Sequence, residues 1–265
     1  MGEFAQLIQN IMEHKENFIV GIHPVTEALE TGKEIEKVMF RQGMDGPQFK
    51  VLLDILKNKG IQVQFAPQER LNRLTKANHQ GVIAFLPQIE YVSLEKFTIP
   101  EDNTGALPLV LTGALPLVLI LDGISDVRNF GAIARSAECA GAKGIILPAK
   151  GSANVNADSI KTSAGALLRI PVCKVSNVRE AIYFLKEAGY TIFAANEKAE
   201  STIYQVNFKV PTAIILGSED KGVSRSAMEL SDHHVKIPME GQISSLNVSA
   251  AAAVIQFEIV RQRSV

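Results

Sequence analysis

The chain has 265 residues, a net charge of −1, 46% hydrophobic and 21% charged residues, a balance expected of a soluble protein with one large or two modest domains. No apolar run reaches membrane-span length and the first 17 residues lack a signal-peptide core, while two distant cysteines, Cys139 and Cys173, form neither a disulfide framework nor a metal-ligand pattern. These features predict a cytoplasmic protein with both thiols reduced, buried and structural; near-neutrality argues against a generally basic nucleic-acid binder, although a local stripe of Lys and Arg suffices for phosphate contacts.

Residues 1–17 read as a polar, partly helical leader. Over residues 18–90, short β-like runs at 37–40, 62–65 and 81–85 alternate with helical patterns. The segment VLLDILK at 51–57 has helical spacing and stops before Gly60, a C-cap signal. A small α/β domain is expected here. Residues 91–115, with Pro100, Asp102, Asn103, Thr104 and Gly105, read as a linker. Inside it TGALPLVL at 104–111 recurs unchanged at 112–119. One copy suffices to feed the strand that ends at Asp122. The other lengthens the linker, adds an edge strand or offers a second register. Each copy carries a proline, which argues against a central strand position for both.

From residue 117 onward the pattern is strand and helix in turn. Apolar β runs fall at 117–121, 144–147, 171–175, 191–195, 212–216 and 234–237, with helical stretches including 130–141, 179–188 and 249–262. This pattern predicts a parallel, doubly wound sheet. No G-x-G-x-x-G follows the first strand and no Walker A motif is present, so nothing supports NAD or ATP. The five histidines show no metal-ligand spacing, and no metal site is expected. The pair His233 and His234 reads as surface or packing.

Three loop-centred segments carry the chemistry. Residues 121–137, LDGISDVRNFGAIARSA, run from a strand end into a helix bearing Asn129 and Arg135. Residues 215–224 read ILGSEDKGVS and residues 237–250 read IPMEGQISSLNVSA. Taken singly, each is a strand, a loop and a helix start with Ser or Asn as caps. Small residues in such loops also let a ligand approach the backbone. In order they contain N-x-G-x-x-x-R, L-G-x-E-x-x-G and I-P-M-x-G-x-x-x-S-L-N-V-S. That ordered set closely resembles the SpoU/TrmH family of RNA ribose 2′-O-methyltransferases, within the SPOUT class. Upstream, FIVGIHPVTEAL at 18–29 and HQGVIA at 79–84 resemble the start and end of the substrate-binding domain that many members carry.

The resemblance implies an α/β fold: a C-terminal SPOUT-type parallel sheet with a trefoil knot over 116–265, plus a small N-terminal α/β substrate-binding domain over 18–90. It implies homodimerisation through the C-terminal domain, S-adenosylmethionine as cofactor, and RNA as partner, with rRNA preferred over tRNA. The cofactor would lie among Gly217, Ile237, Met239, Ser245, Leu246 and Asn247, with Ile237 and Leu246 as apolar walls. A plainer account of those two is ordinary core.

The catalytic set carried over is Arg135, Asn129, Glu219, Ser245 and Asn247. A guanidinium keeps its charge, so Arg135 is expected to bind a neighbouring phosphate and stabilise the developing alkoxide rather than act as a base. Its plainer role is a surface pair with Glu138. Glu219 would bridge to Asn129 or Arg135, and Asn129, Ser245 and Asn247 are also natural helix caps. For RNA, Arg70, Arg73 and Lys76 recur at three-residue spacing and would form one stripe on a helix. Arg128 joins them, and Lys161, Arg169, Lys221 and Arg225 extend the track. Two rival readings are a non-catalytic RNA-binding or ribosome-assembly factor, and a small-molecule methyltransferase.

Overall fold

In the computed structural model, which describes residues 18–98 and 115–264, the alternating apolar runs and helices build two separate sheets. The chain divides into two units between Gln88 and Ile89.

The first unit runs β1 (Phe18–Val20), α1 (Ile22–Glu30), β2 (Lys37–Arg41), α2 (Pro47–Asn58), β3 (Gln62–Ala66), α3 (Gln68–Leu74) and β4 (Val82–Phe85). Strand order is β1-β4-β2-β3. β4 runs antiparallel to β1 and β2, whereas β2 and β3 are parallel, joined through α2. Pro47 sits in the first turn of α2, where its missing N–H costs nothing. Alternate residues of β2 face opposite ways. Val38 and Phe40 pack with Leu29 of α1 and Leu52 and Leu56 of α2. Met39 packs with Leu71 of α3. Each such fully buried side chain contributes about 1.5–3 kcal/mol.

One expectation is corrected here. α3 ends at Leu74, and Thr75 is extended with its hydroxyl accepting from the Ala77 N–H at 3.1 Å. This side-chain turn competes with helix continuation. Arg70 and Arg73 therefore lie on the helix, and Lys76 lies beyond it, so no three-residue stripe forms.

The second unit runs β5 (Leu117–Asp122), α4 (Val127–Cys139), β6 (Gly144–Pro148), α5 (Ala157–Thr162), β7 (Val172–Val175), α6 (Val178–Glu187), β8 (Thr191–Ala195), β9 (Thr212–Gly217), α7 (Arg225–Leu230), β10 (His233–Val235) and α8 (Val248–Arg263). The sheet order is β10-β8-β9-β5-β6-β7, and every neighbouring pair is parallel. Strands covered on both faces read as continuous apolar runs, which is why LVLIL at 117–121 shows no alternation and is buried throughout.

β5 takes its first three residues from the second TGALPLVL copy, with β6 and β9 on either side. Pro116 stands just before the strand, so its missing donor leaves the ladder intact. The first copy lies outside the described residues.

Residues 91–98, read as the start of a linker, pack on this second unit. The Val92 N–H donates to the Val172 carbonyl at 2.9 Å, and Phe97 is fully buried with its carbonyl accepting from the Tyr190 hydroxyl at 2.9 Å. Apolar Val92, Leu94 and Phe97 drive this docking. The thiols also differ from expectation. Cys173 is buried, and burial pushes its thiol up to about 11, but Cys139 is exposed at the end of α4. β10 is His233–Val235, so Ile237 lies in the loop beyond it.

Arg263 fastens the last turn of α8 to the start of β5. Its guanidinium donates to the carbonyls of Leu115 (2.6 Å), Val210 (2.8 Å) and Phe208 (3.0 Å) and to the Thr212 hydroxyl (3.0 Å). Burial draws its pKa down to about 10. Replacing Arg263 with alanine strands these acceptors and is expected to destabilise the protein by about 3 kcal/mol. Denaturant unfolding checks this, and a wild-type midpoint would refute it.

Candidate functional site

The carboxyl ends of β8, β9 and β10 open into a cleft of about 620 Å³, the end of a parallel sheet where ligands are characteristically held. Gly217 closes β9, Asn196 follows β8, and Lys236 follows β10. All six residues assigned to the cofactor in the sequence, Gly217, Ile237, Met239, Ser245, Leu246 and Asn247, line this cleft. Leu216, Ala251 and Ile255 complete its apolar side. Met239 and Leu246 keep 38% and 39% exposure despite their apolar character, a surface that a flat apolar ligand would cover. Glu197 and Lys198 also line it and were missed in the sequence. Their place directly after a strand end was the available signal.

Three side chains far apart in sequence meet at the mouth of this cleft. Asn129 Nδ2 donates to Glu219 Oε1 at 3.1 Å, and Asn247 Nδ2 donates to Asn129 Oδ1 at 3.0 Å. The Asn247 amide donates to the same Glu219 oxygen as well. Its Oδ1 accepts from the Ser249 N–H at 3.0 Å and hydroxyl at 2.6 Å, so Asn247 is also the cap of α8. Asn129 is not a cap. Asp126 caps α4, accepting from the backbone N–H groups of Asn129 and Arg128 at 2.9 and 2.7 Å. Those two bonds hold its carboxyl below the usual range.

Ser245 lines the cleft beside Glu219 and Asn247. Arg135 stands apart from this group. Six residues on from Asn129 along α4, it is about 120° round the helix and about 9 Å further along it. It is exposed, and its guanidinium makes no hydrogen bond or ion pair with any described residue, Glu138 included. Glu219 thus joins Asn129 and Asn247, not Arg135. Arg128 is exposed in the first turn of α4. Arg225, considered for the phosphate track, is paired with Glu229 at 2.8 Å.

The motif glycines have packing reasons. A Cβ on Gly217 would lie 2.0 Å from the Gly222 carbonyl carbon and 2.1 Å from the Val223 nitrogen. The loop folds back on itself there, with Ser218 and Gly222 forming an antiparallel bridge. The close neighbour is the chain itself, and this turn is what carries Glu219. On Gly131 a Cβ would meet the Ser159 carbonyl oxygen at 2.7 Å, so α4 can lie against α5. Gly217→Ala is expected to lower stability by about 1–3 kcal/mol through forced separation of the loop. Thermal unfolding reads it; an unchanged melting temperature would show that the loop yields freely.

Residues 116–257 match the SpoU rRNA Methylase family, and residues 18–92 match the RNA 2′-O ribose methyltransferase substrate binding family. A Staphylococcus haemolyticus protein assigned to the TrmH family of tRNA/rRNA methyltransferases is 35% identical over 245 residues, 92% of this chain and 95% of that protein. The SpoU methyltransferase AviRb from Streptomyces viridochromogenes, solved in complex with the cofactor AdoMet, is similar with a TM-score of 0.58 and 24% identity, covering 100% of this chain and 99% of that one. The A. aeolicus TrmH/SpoU tRNA modifying enzyme gives 0.53 at 30% identity over 57% of this chain and 77% of its own. Among the described residues no helix is long and apolar enough to cross a membrane. With one family model covering more than half of the sequence and a full-length relative above 30% identity, the chain belongs to the SpoU/TrmH family of RNA methyltransferases.

Proposed function

We propose that the protein methylates a ribose 2′-hydroxyl of ribosomal RNA with S-adenosylmethionine as donor, acting in the cytoplasm as a homodimer joined through its knotted C-terminal region. The observation that carries this reading is the hydrogen-bonded set Asn129, Glu219 and Asn247 at the mouth of the apolar-walled cleft.

The cleft suits the cofactor chemically. Ile237, Met239 and Leu246 offer apolar surface for a purine, and the carboxylates of Glu197 and Glu219 offer negative charge toward a sulfonium. AviRb, a relative of the same fold, was solved with this cofactor. When bound, S-adenosylmethionine supplies an electrophilic methyl group. The protein's own task is positioning, since displacement at a methyl carbon requires the acceptor oxygen in line. Asn129, locked by Asn247 and Glu219, keeps one amide N–H and one oxygen lone pair with which to hydrogen-bond the ribose hydroxyl, while Asn247, whose donors and acceptor are all engaged, positions it. Arg135, exposed and unpaired, is free to take the adjacent phosphate and to stabilise negative charge as the hydroxyl loses its proton.

Support for the dimer comes from α8. It buries Val248, Ala252, Ile255 and Ile259, yet Val254 and Phe257 stay 37% and 49% exposed on another face. A helix apolar on both faces needs a second covering surface. Phe257→Glu is expected to convert the dimer to monomer, read by sedimentation or light scattering. A wild-type mass would place the interface elsewhere.

The activity test is transfer of labelled methyl from S-adenosylmethionine to total rRNA and to tRNA, with wild type beside Arg135→Ala. Label is expected on ribose 2′-oxygens of rRNA, and the variant is expected to lose about 100- to 1,000-fold in rate. Label confined to tRNA would move the substrate within the same chemistry. No label on either pool while cofactor binds would favour the assembly-factor reading instead.

A further inference from the structure

The first unit has a cleft of its own, about 360 Å³, at the carboxyl ends of the parallel pair β2 and β3. Arg41, the last residue of β2, stands on one side, and Gln68, two residues after β3, stands on another. Asn72 of α3 and the turn that carries Asn78, His79 and Gln80 complete it. The position obeys the same rule as the larger cleft, since ligands gather where parallel strands end.

His79 is its buried base, at 4% exposure. Its Nδ1 accepts from the Gly81 N–H at 3.0 Å, which places the ring proton on Nε2. Nε2 then donates to Asn72 Oδ1 at 2.9 Å. Burial lowers the imidazole's pKa and keeps this neutral form in place. Asn72 Oδ1 also accepts from Gln68 Nε2 at 3.3 Å. Both acceptor positions of Asn72 are therefore satisfied from within, and its Nδ2 donates to no described residue. Asn78 and Gln80 are exposed, and their side chains make no hydrogen bond with any described residue. Gln80 holds a φ of 50°, uncommon outside glycine and asparagine. Such backbone settings persist where the surroundings enforce them and cluster at ligand sites.

The chemistry of this wall is specific. It offers several side-chain amides with open donors and acceptors and one cation, Arg41. A surface that tracks phosphates is built from many cations. Amides that donate and accept together match base edges, which are open to reading where RNA is single-stranded. We propose that this cleft takes one unpaired RNA nucleotide, its base edge hydrogen-bonded by Asn72, Asn78 and Gln80 and its phosphate paired with Arg41. The inference rests on the reading of the protein as an RNA-modifying enzyme and names where the N-terminal region reads its substrate. His79 acts as a positioning residue that fixes the Asn72 amide.

The test uses the full chain and dye-labelled 12-nucleotide single strands of A, C, G and U, beside an A·U duplex. Wild type is expected to bind the single strands more tightly than the duplex and to prefer one base. Asn78→Ala and Gln80→Ala should each weaken the preferred strand about 10-fold and flatten the preference. Arg41→Ala should weaken all four strands alike and reduce the salt slope by about one. Calorimetric titration with S-adenosylmethionine and the thermal unfolding profile should both be unchanged in every variant, which shows that the second and the first unit are folded. Equal binding of duplex and single strands, or wild-type affinity and preference in the amide variants, would overturn the proposal. If those variants still methylate rRNA with wild-type KM, this cleft is wrong while the enzyme reading stands; a wild type that binds and methylates no RNA ends both.

Discussion

The Asn247 side chain is the contact on which the larger site depends. An amide has an acceptor end and a donor end, and here both are in use. The oxygen caps α8 through Ser249, and the nitrogen reaches Asn129 at the start of α4 and Glu219 on the loop after β9. Three elements separated by up to 118 residues in the chain are thereby held at one point. Aspartate would cap the helix equally well, but it would lack the donors and set a second carboxylate against Glu219. The residue type follows from needing cap and bridge together.

That contact is possible because the parallel sheet delivers its loops to one edge. β5 lies between β6 and β9, so the turn into α4 and the turn after β9 emerge side by side. The Asp122 carboxylate at the end of β5 accepts the Ser224 N–H at 2.7 Å and ties the two exits together. Gly217 lets the second turn fold back tightly, and Arg263 pins the far end of α8 to the start of β5. The site is thus fixed at both ends of its last helix.

The two clefts share a location rule and differ in chemistry. Each sits at the carboxyl ends of parallel strands. The larger combines apolar walls with carboxylates and lysines, whereas the smaller presents amides around one arginine. A polar cleft of this kind keeps its shape only if its own hydrogen bonds are satisfied first, which is what the buried, neutral His79 does for Asn72.

The strand runs at 37–40, 117–121, 144–147, 191–195 and 212–216 were legible in the sequence because burial imposes a local apolar pattern. So were Gly217, Ile237, Met239, Ser245, Leu246 and Asn247 of the larger cleft, through the resemblance of three ordered motifs, whereas Glu197 and Lys198 lie outside those motifs. The end of α3 was not legible, because it turns on one Thr75 hydroxyl choosing the Ala77 N–H. Nor was the docking of Val92 and Phe97, which depends on a groove formed by distant strands. Residue type and local periodicity therefore determined the elements, and the resemblance of three ordered motifs to a known family nominated Asn129, Glu219 and Asn247. Only the tertiary structure decided that these three bond to one another while Arg135 stands free, and that Asn72, His79 and Gln80 share a cleft, because such contacts depend on where the sheet brings separate loops and no short stretch of chain contains that distance.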